Sequence, residues 1–89
     1  MKEIARERTF TWTNPIELAK QLFSAEGISW LRAMKARELP PPPMFSALGI
    51  DVESVEQGTV AFSMRAEEWM CNPAGVVHGG MTATLLDTV

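Results

Sequence analysis

The residues of this 89-residue chain that could do chemistry together lie between Asn72 and Asp87. The stretch reads Asn72-Pro73-Ala74-Gly75-Val76-Val77-His78-Gly79-Gly80-Met81-Thr82-Ala83-Thr84-Leu85-Leu86-Asp87 and holds the only histidine. An amide, an imidazole, a glycine pair and a carboxylate can position water, move a proton and hold a developing negative charge. Asn72-Pro73 starts a turn, because Pro73 fixes its own φ and biases Asn72 away from the α region. Gly79-Gly80 leaves the first backbone N–H groups of the following helix uncovered by side chains. Those groups have no partner inside a helix, and the helix dipole adds partial positive charge there. Such an end suits an anion, or an oxygen that becomes one during a reaction.

The helix that must carry these groups begins near Gly79. Met81, Leu85 and Val89 fall at i, i+4 and i+8 on one stripe; Leu86 widens it, and Ala83 keeps another face small. A helix this apolar predicts burial on most sides. Asp87 is the exception, and a carboxylate in such a helix needs a partner or a task. Gly79 and Asp87 lie about 12 Å apart along a straight helix rising ~1.5 Å per residue. One small reacting group cannot touch both within one chain. An antiparallel copy of the helix brings Asp87 of one chain near Gly79 of the other, so a site that uses both is shared between subunits.

The spacing Asn72 to His78-Gly79-Gly80 to Leu86-Asp87 resembles the hotdog-fold acyl-CoA thioesterases of the PaaI type. The match is close from Asn72 to Asp87 and extends back to about Leu39. The resemblance implies an α+β hotdog fold, a long central helix wrapped by a curved antiparallel sheet, in dimers that often pair into tetramers. It implies hydrolysis of an acyl-CoA thioester to a free acid and coenzyme A. Asp87 then resembles the general base or nucleophile, and the Gly79 N–H the oxyanion donor. Asn72 resembles the positioner of water or carbonyl, with His78 as its orienting neighbour. Gly80 and Trp69 are candidate substrate contacts.

Each of these residues also has a structural reading. Asn72 before proline serves many turns, His78 could be a satisfied structural histidine, and Gly79-Gly80 could only allow close helix–sheet packing. Asp87 could pair with an arginine from elsewhere. The enzymatic rival is Cys71 as nucleophile with His78 as base. Lone cysteines are mostly inert small hydrophobes, however, and no basic cluster beside Cys71 favours the thiolate. A rival of another class is a non-catalytic hotdog that binds acyl-CoA or scaffolds an oligomer, since a fold does not fix a function.

The whole chain narrows the field. Eight basic and eleven acidic residues give a net charge of −3 and are scattered, so no basic stripe predicts nucleic-acid binding. The apolar runs are too short to span a bilayer, and Met1 to Trp12 carries no secretory signal. A single cysteine fits a reducing cytoplasm. One histidine, one cysteine and scattered acids predict no metal site and no cofactor. The apolar stripe still runs at Val89, and only two convincing strands precede the helix. The pattern therefore predicts the first part of a longer domain, truncated within the central helix.

Two regions are expected: a helical extension with a proline-rich linker over residues 1–43, and the beginning of a hotdog domain over residues 44–89. In the first, Thr9-Phe10-Thr11-Trp12-Thr13 reads as a short strand or an extended arm. Asn14-Pro15-Ile16-Glu17 starts a helix, with a stripe of Ile16, Ala19, Leu22 and Phe23. A second helix runs from about Ile28 to Arg37, Leu31 and Met34 inward and Trp30 beside them, ended by Leu39 and the proline tract. This pair either packs as an extension or covers an acyl tunnel; the prolines read as a linker rather than an SH3-type ligand. In the second region Met44 to Gly49 predicts one helical turn closed by Gly49, near the acyl pocket in the resembling family. Ile50 to Glu56 predicts a strand whose phase slips at Ser54-Val55, where a bulge is one explanation. Gln57-Gly58 turns the chain into Val60, Phe62, Met64 and Ala66, the cleanest alternation present. Trp69-Met70 is expected to seal the way into the Asn72 loop, with Trp69 in the core or lining a substrate pocket.

Overall fold

A computed structural model describes residues 4–23 and 27–89. Its order is α1 (Pro15–Phe23), α2 (Ser29–Lys35), α3 (Pro43–Leu48), β1 (Ile50–Glu56), β2 (Thr59–Met64), a short 3₁₀ turn (Glu68–Met70) and α4 (Gly79–Thr88). The architecture is mixed α+β, with one two-stranded antiparallel sheet among the described residues. No helix among them is long and apolar enough to cross a membrane.

The hairpin forms where alternation called for it. Ile50 pairs with Met64 and Glu56 with Thr59, and the register shifts between Val52 and Ser54. That shift is a bulge at Glu53, one residue before the slip read in the sequence. Gly58 makes the turn at φ +80°, and Gly49 ends α3 at φ +69°; both angles favour a residue without a Cβ. Val60, Phe62 and Met64 turn their half-buried side chains to one face, where Phe45 of α3 meets Phe62 edge-on at 5.7 Å.

Among the described residues the buried apolar side chains are Leu18, Met34, Leu48, Ile50 and Met70. Each contributes roughly 1.5–3 kcal/mol of transfer free energy, so the core is small. Asn14 caps α1 as expected, its Oδ1 accepting from the Ile16 N–H at 2.9 Å. The buried anchor of α1, however, is Leu18 and not Ile16, which stands 67% exposed. The Phe23 side chain lies outside the described residues. Residues 4–13 form an arm without regular secondary structure and join no strand.

The proline tract does not end α2. The helix stops at Lys35, where Arg37 adopts φ +61°. The Glu38 N–H donates to the Ala33 carbonyl at 2.8 Å and the Arg37 N–H to the Met34 carbonyl at 3.0 Å. This is a Schellman closure with an arginine in the place usually taken by glycine. Pro43 then opens α3 at its first position, where the missing N–H costs nothing.

The expectation that α4 is buried on most sides fails within this chain. None of its residues is buried, and Leu86 is 69% exposed. Gly80, Met81, Thr84, Leu85 and Thr88 are half-buried on one side, and α4 packs on β2. Gly79, Thr82, Ala83, Leu86, Asp87 and Val89 face outward. A two-stranded ribbon is too narrow to wrap a helix.

Candidate active site

The loop before α4 is closed by its own backbone. Cys71 and Val77 form an antiparallel bridge. The Asn72 N–H donates to the Val76 carbonyl at 2.8 Å, and the Gly75 N–H to the Asn72 carbonyl at 2.9 Å. Asn72 Oδ1 accepts from the N–H groups of Ala74 at 3.0 Å and Val76 at 3.2 Å. This is an Asx turn, the structural task expected of Asn before Pro. The carbonyl end of the side chain is committed, which leaves its NH₂ as the part that can meet a water or a carbonyl oxygen.

His78 is the N-cap of α4, with extended φ/ψ of −61° and 132°. Its Nδ1 accepts from the Gly80 N–H at 2.8 Å, and its own N–H donates to the Met70 carbonyl at 2.8 Å. An accepting Nδ1 places the ring proton on Nε2. His78 thus orients the start of the helix, and no hydrogen bond joins it to Asn72 among the described residues. Gly80 is required by this cap, for a Cβ there would meet His78 Nδ1 at 2.9 Å. Its N–H is consumed, so of the two glycines only Gly79 offers a donor. The Gly79 N–H finds no acceptor among the described residues, and its Cα faces open space with nothing within 4 Å of an added Cβ. Tight packing therefore does not account for Gly79 in this chain.

Gly80→Ala separates these roles. The ring must swing away, losing a cap worth about 1 kcal/mol. Alanine regains at most about 1 kcal/mol of helix propensity. Thermal denaturation is expected to change little, while ¹⁵N NMR shows His78 leaving its single tautomer. An unchanged imidazole spectrum would contradict the cap.

Asp87 lies two turns along α4 on the same outward face as Gly79, with Ala83 between them at i+4 spacing. Its carboxylate is exposed and has no hydrogen bond or ion pair among the described residues. The arginine partner it could have had is not supplied here. Thr84 and Thr88, on the opposite side, donate their hydroxyls to the carbonyls of Gly80 at 2.8 Å and Thr84 at 2.9 Å. They carry no free donor toward the outward face.

No family model, no curated protein and no solved structure matches the chain.

Trp69 is not the core residue that packing alone would make it. Met70 is the buried residue of the pair, at 2%, whereas Trp69 is 43% exposed. The Arg8 guanidinium lies 4.7 Å from its ring centroid, and its indole N–H donates to Glu67. Cys71 is exposed, and no bond joins it to His78 among the described residues. With Nδ1 engaged by Gly80, only Nε2 of His78 remains to face a thiol. Among the described residues, no group of three His, Cys, Asp or Glu side chains could hold a metal ion. The sequence reading missed Arg8 and Glu67. The signal was alternation, Arg6 and Arg8 in the arm against consecutive Glu67 and Glu68, which are paired in the structure.

Proposed function

We propose that the protein is an acyl-CoA thioesterase of the hotdog type, acting as a dimer or a pair of dimers in the cytoplasm. The observation that carries the reading is the outward face of α4, where an unengaged backbone donor at Gly79 and an unpartnered carboxylate at Asp87 share one ridge. In an antiparallel pair of such helices, each Gly79 faces the partner's Asp87, and the small Ala83 lets the backbones approach.

The thioester carbonyl oxygen points at the Gly79 N–H, where the helix start stabilises the charge that develops on it. The Asn72 NH₂ holds the attacking water or the carbonyl. Asp87 of the other subunit either takes a proton from that water or attacks the carbonyl carbon itself. In both routes the C–S bond breaks, the thiolate leaves on coenzyme A and takes up a proton, and a carboxylic acid is released. In the direct-attack route the acyl group first passes to Asp87 as a mixed anhydride, and one water then hydrolyses it to release the acid and free Asp87.

The test is thiol release from a panel of aliphatic and aryl acyl-CoAs by the whole protein. Turnover of at least one class is expected, and Cys71→Ala is expected to leave it within about twofold, because the mechanism gives the thiol no part. Turnover that collapses with Cys71→Ala would transfer the nucleophile to the cysteine. Binding of acyl-CoA without release would leave the non-catalytic reading.

A further inference from the structure

We propose that Arg8 is a latch that straps the N-terminal arm across α3 and the 3₁₀ turn, and through that turn positions the His78–Gly80 start of α4. The Arg8 guanidinium stacks over two rings, 5.2 Å from the Phe10 centroid and 4.7 Å from that of Trp69. Its Nη2 donates to the Ser46 carbonyl of α3 at 3.1 Å, and its Nε lies 3.9 Å from Glu67 Oε2. The same Glu67 oxygen accepts from the Trp69 indole, so one carboxylate fixes both the cation and the ring beneath it.

The Arg8 side chain is 29% exposed, whereas both partners of the Arg6–Glu68 pair are mostly in solvent, at 64% and 73%. Solvent-exposed ion pairs hold weakly, and a planar guanidinium on an aromatic face holds better as water is excluded. Arg8 therefore holds the arm more firmly than the Arg6–Glu68 pair does. No backbone hydrogen bond joins residues 4–13 to the body among the described residues.

The latch meets the site through three residues. The Met70 N–H donates to the Glu67 carbonyl at 3.0 Å, and the Cys71 N–H to the Glu68 carbonyl at 3.0 Å, closing the turn that presents Glu67 and Trp69. The carbonyl of buried Met70, at the end of that turn, accepts the His78 N–H, and His78 in turn holds the Gly80 N–H. Arg8 is thus a positioning residue, which acts on the helix start without touching a reacting atom.

Amide hydrogen exchange in the whole protein tests this, read at His78 and Gly80 for the wild type, Arg8→Ala and Arg8→Lys. Arg8→Ala is expected to speed exchange at both amides about tenfold while the amides of β1 and β2 keep their rates. Arg8→Lys keeps the charge but loses the forked guanidinium that reaches the Ser46 carbonyl and Glu67 while lying over two rings, and is expected to behave like Arg8→Ala. Unchanged exchange at His78 and Gly80, an equal acceleration in both strands, or full protection in Arg8→Lys would each overturn the latch. Its meaning for turnover rests on the proposed thioester reaction, whereas the exchange pattern does not. A wild type that releases no thiol yet shows the pattern removes the reaction and keeps the latch.

Discussion

Asp87→Asn is expected to lower thioester turnover by about a hundredfold or more, because the carboxylate supplies the proton acceptor or the nucleophile and the amide can do neither. The substitution is nearly isosteric. Asp87 has no hydrogen bond or ion pair to lose among the described residues, and its side chain is exposed. Neither the helix nor the affinity for an acyl-CoA has a structural reason to change. The expected signature is therefore a fall in kcat with KM and the melting temperature close to those of the wild type. A variant that keeps near-normal turnover would remove Asp87 from the chemistry. One that melts far below the wild type would show that the carboxylate has a structural partner.

Gly79→Pro deletes the other half of the site, and the geometry makes it a clean deletion. Gly79 is the first residue of α4, the position where proline is best tolerated in a helix. His78 before it is already extended, as a residue preceding proline must be, and nothing lies within 4 Å of an added Cβ. The one group removed is the N–H. Loss of a single oxyanion donor typically lowers kcat by about 10²–10³. Gly79→Ala is the control, since it keeps the donor in the same open space. It should retain most of the activity, and a Gly79→Ala variant as impaired as Gly79→Pro would assign the position to shape.

The parts of this molecule that were legible in the sequence are those whose cause is local. The hairpin was readable because alternation of Val60, Phe62 and Met64 demands a two-sided strand, and Gly49 and Gly58 sit where φ must be positive. Asn14-Pro15 marked the start of α1 because cap and first turn lie within four residues. The end of α2 was not readable, since an arginine in the left-handed region leaves no trace in residue type. Nor was the choice of Leu18 over Ile16, because which stripe is buried depends on what packs against it. That Trp69 stays out of the core has the same reason: its cover comes from Arg8, at the other end of the chain. His78 as a cap was hidden by its chemistry, for serine, threonine, aspartate and asparagine are the usual caps. The apolar pattern of α4 stated what the helix needs. It could not state whether this chain or another supplies it, and within this chain the outward face stays uncovered.

The site divided between subunits is the centre of the account, and subunit mixing tests it most directly. Gly79→Pro and Asp87→Asn proteins, each inactive alone, are combined under conditions in which subunits exchange, with exchange confirmed by differently tagged chains. Random exchange makes half the dimers mixed. In a mixed dimer one site joins an intact Gly79 N–H to an intact Asp87 of the partner, and the other site carries both lesions. Recovered activity is therefore expected to approach about a quarter of the wild-type value, from the pairing rules of a two-fold interface. If Gly79 and Asp87 served a site within one chain, every site would carry a lesion and mixing would restore nothing. Confirmed exchange with no recovery would contradict the antiparallel pairing of α4 and the shared site built on it.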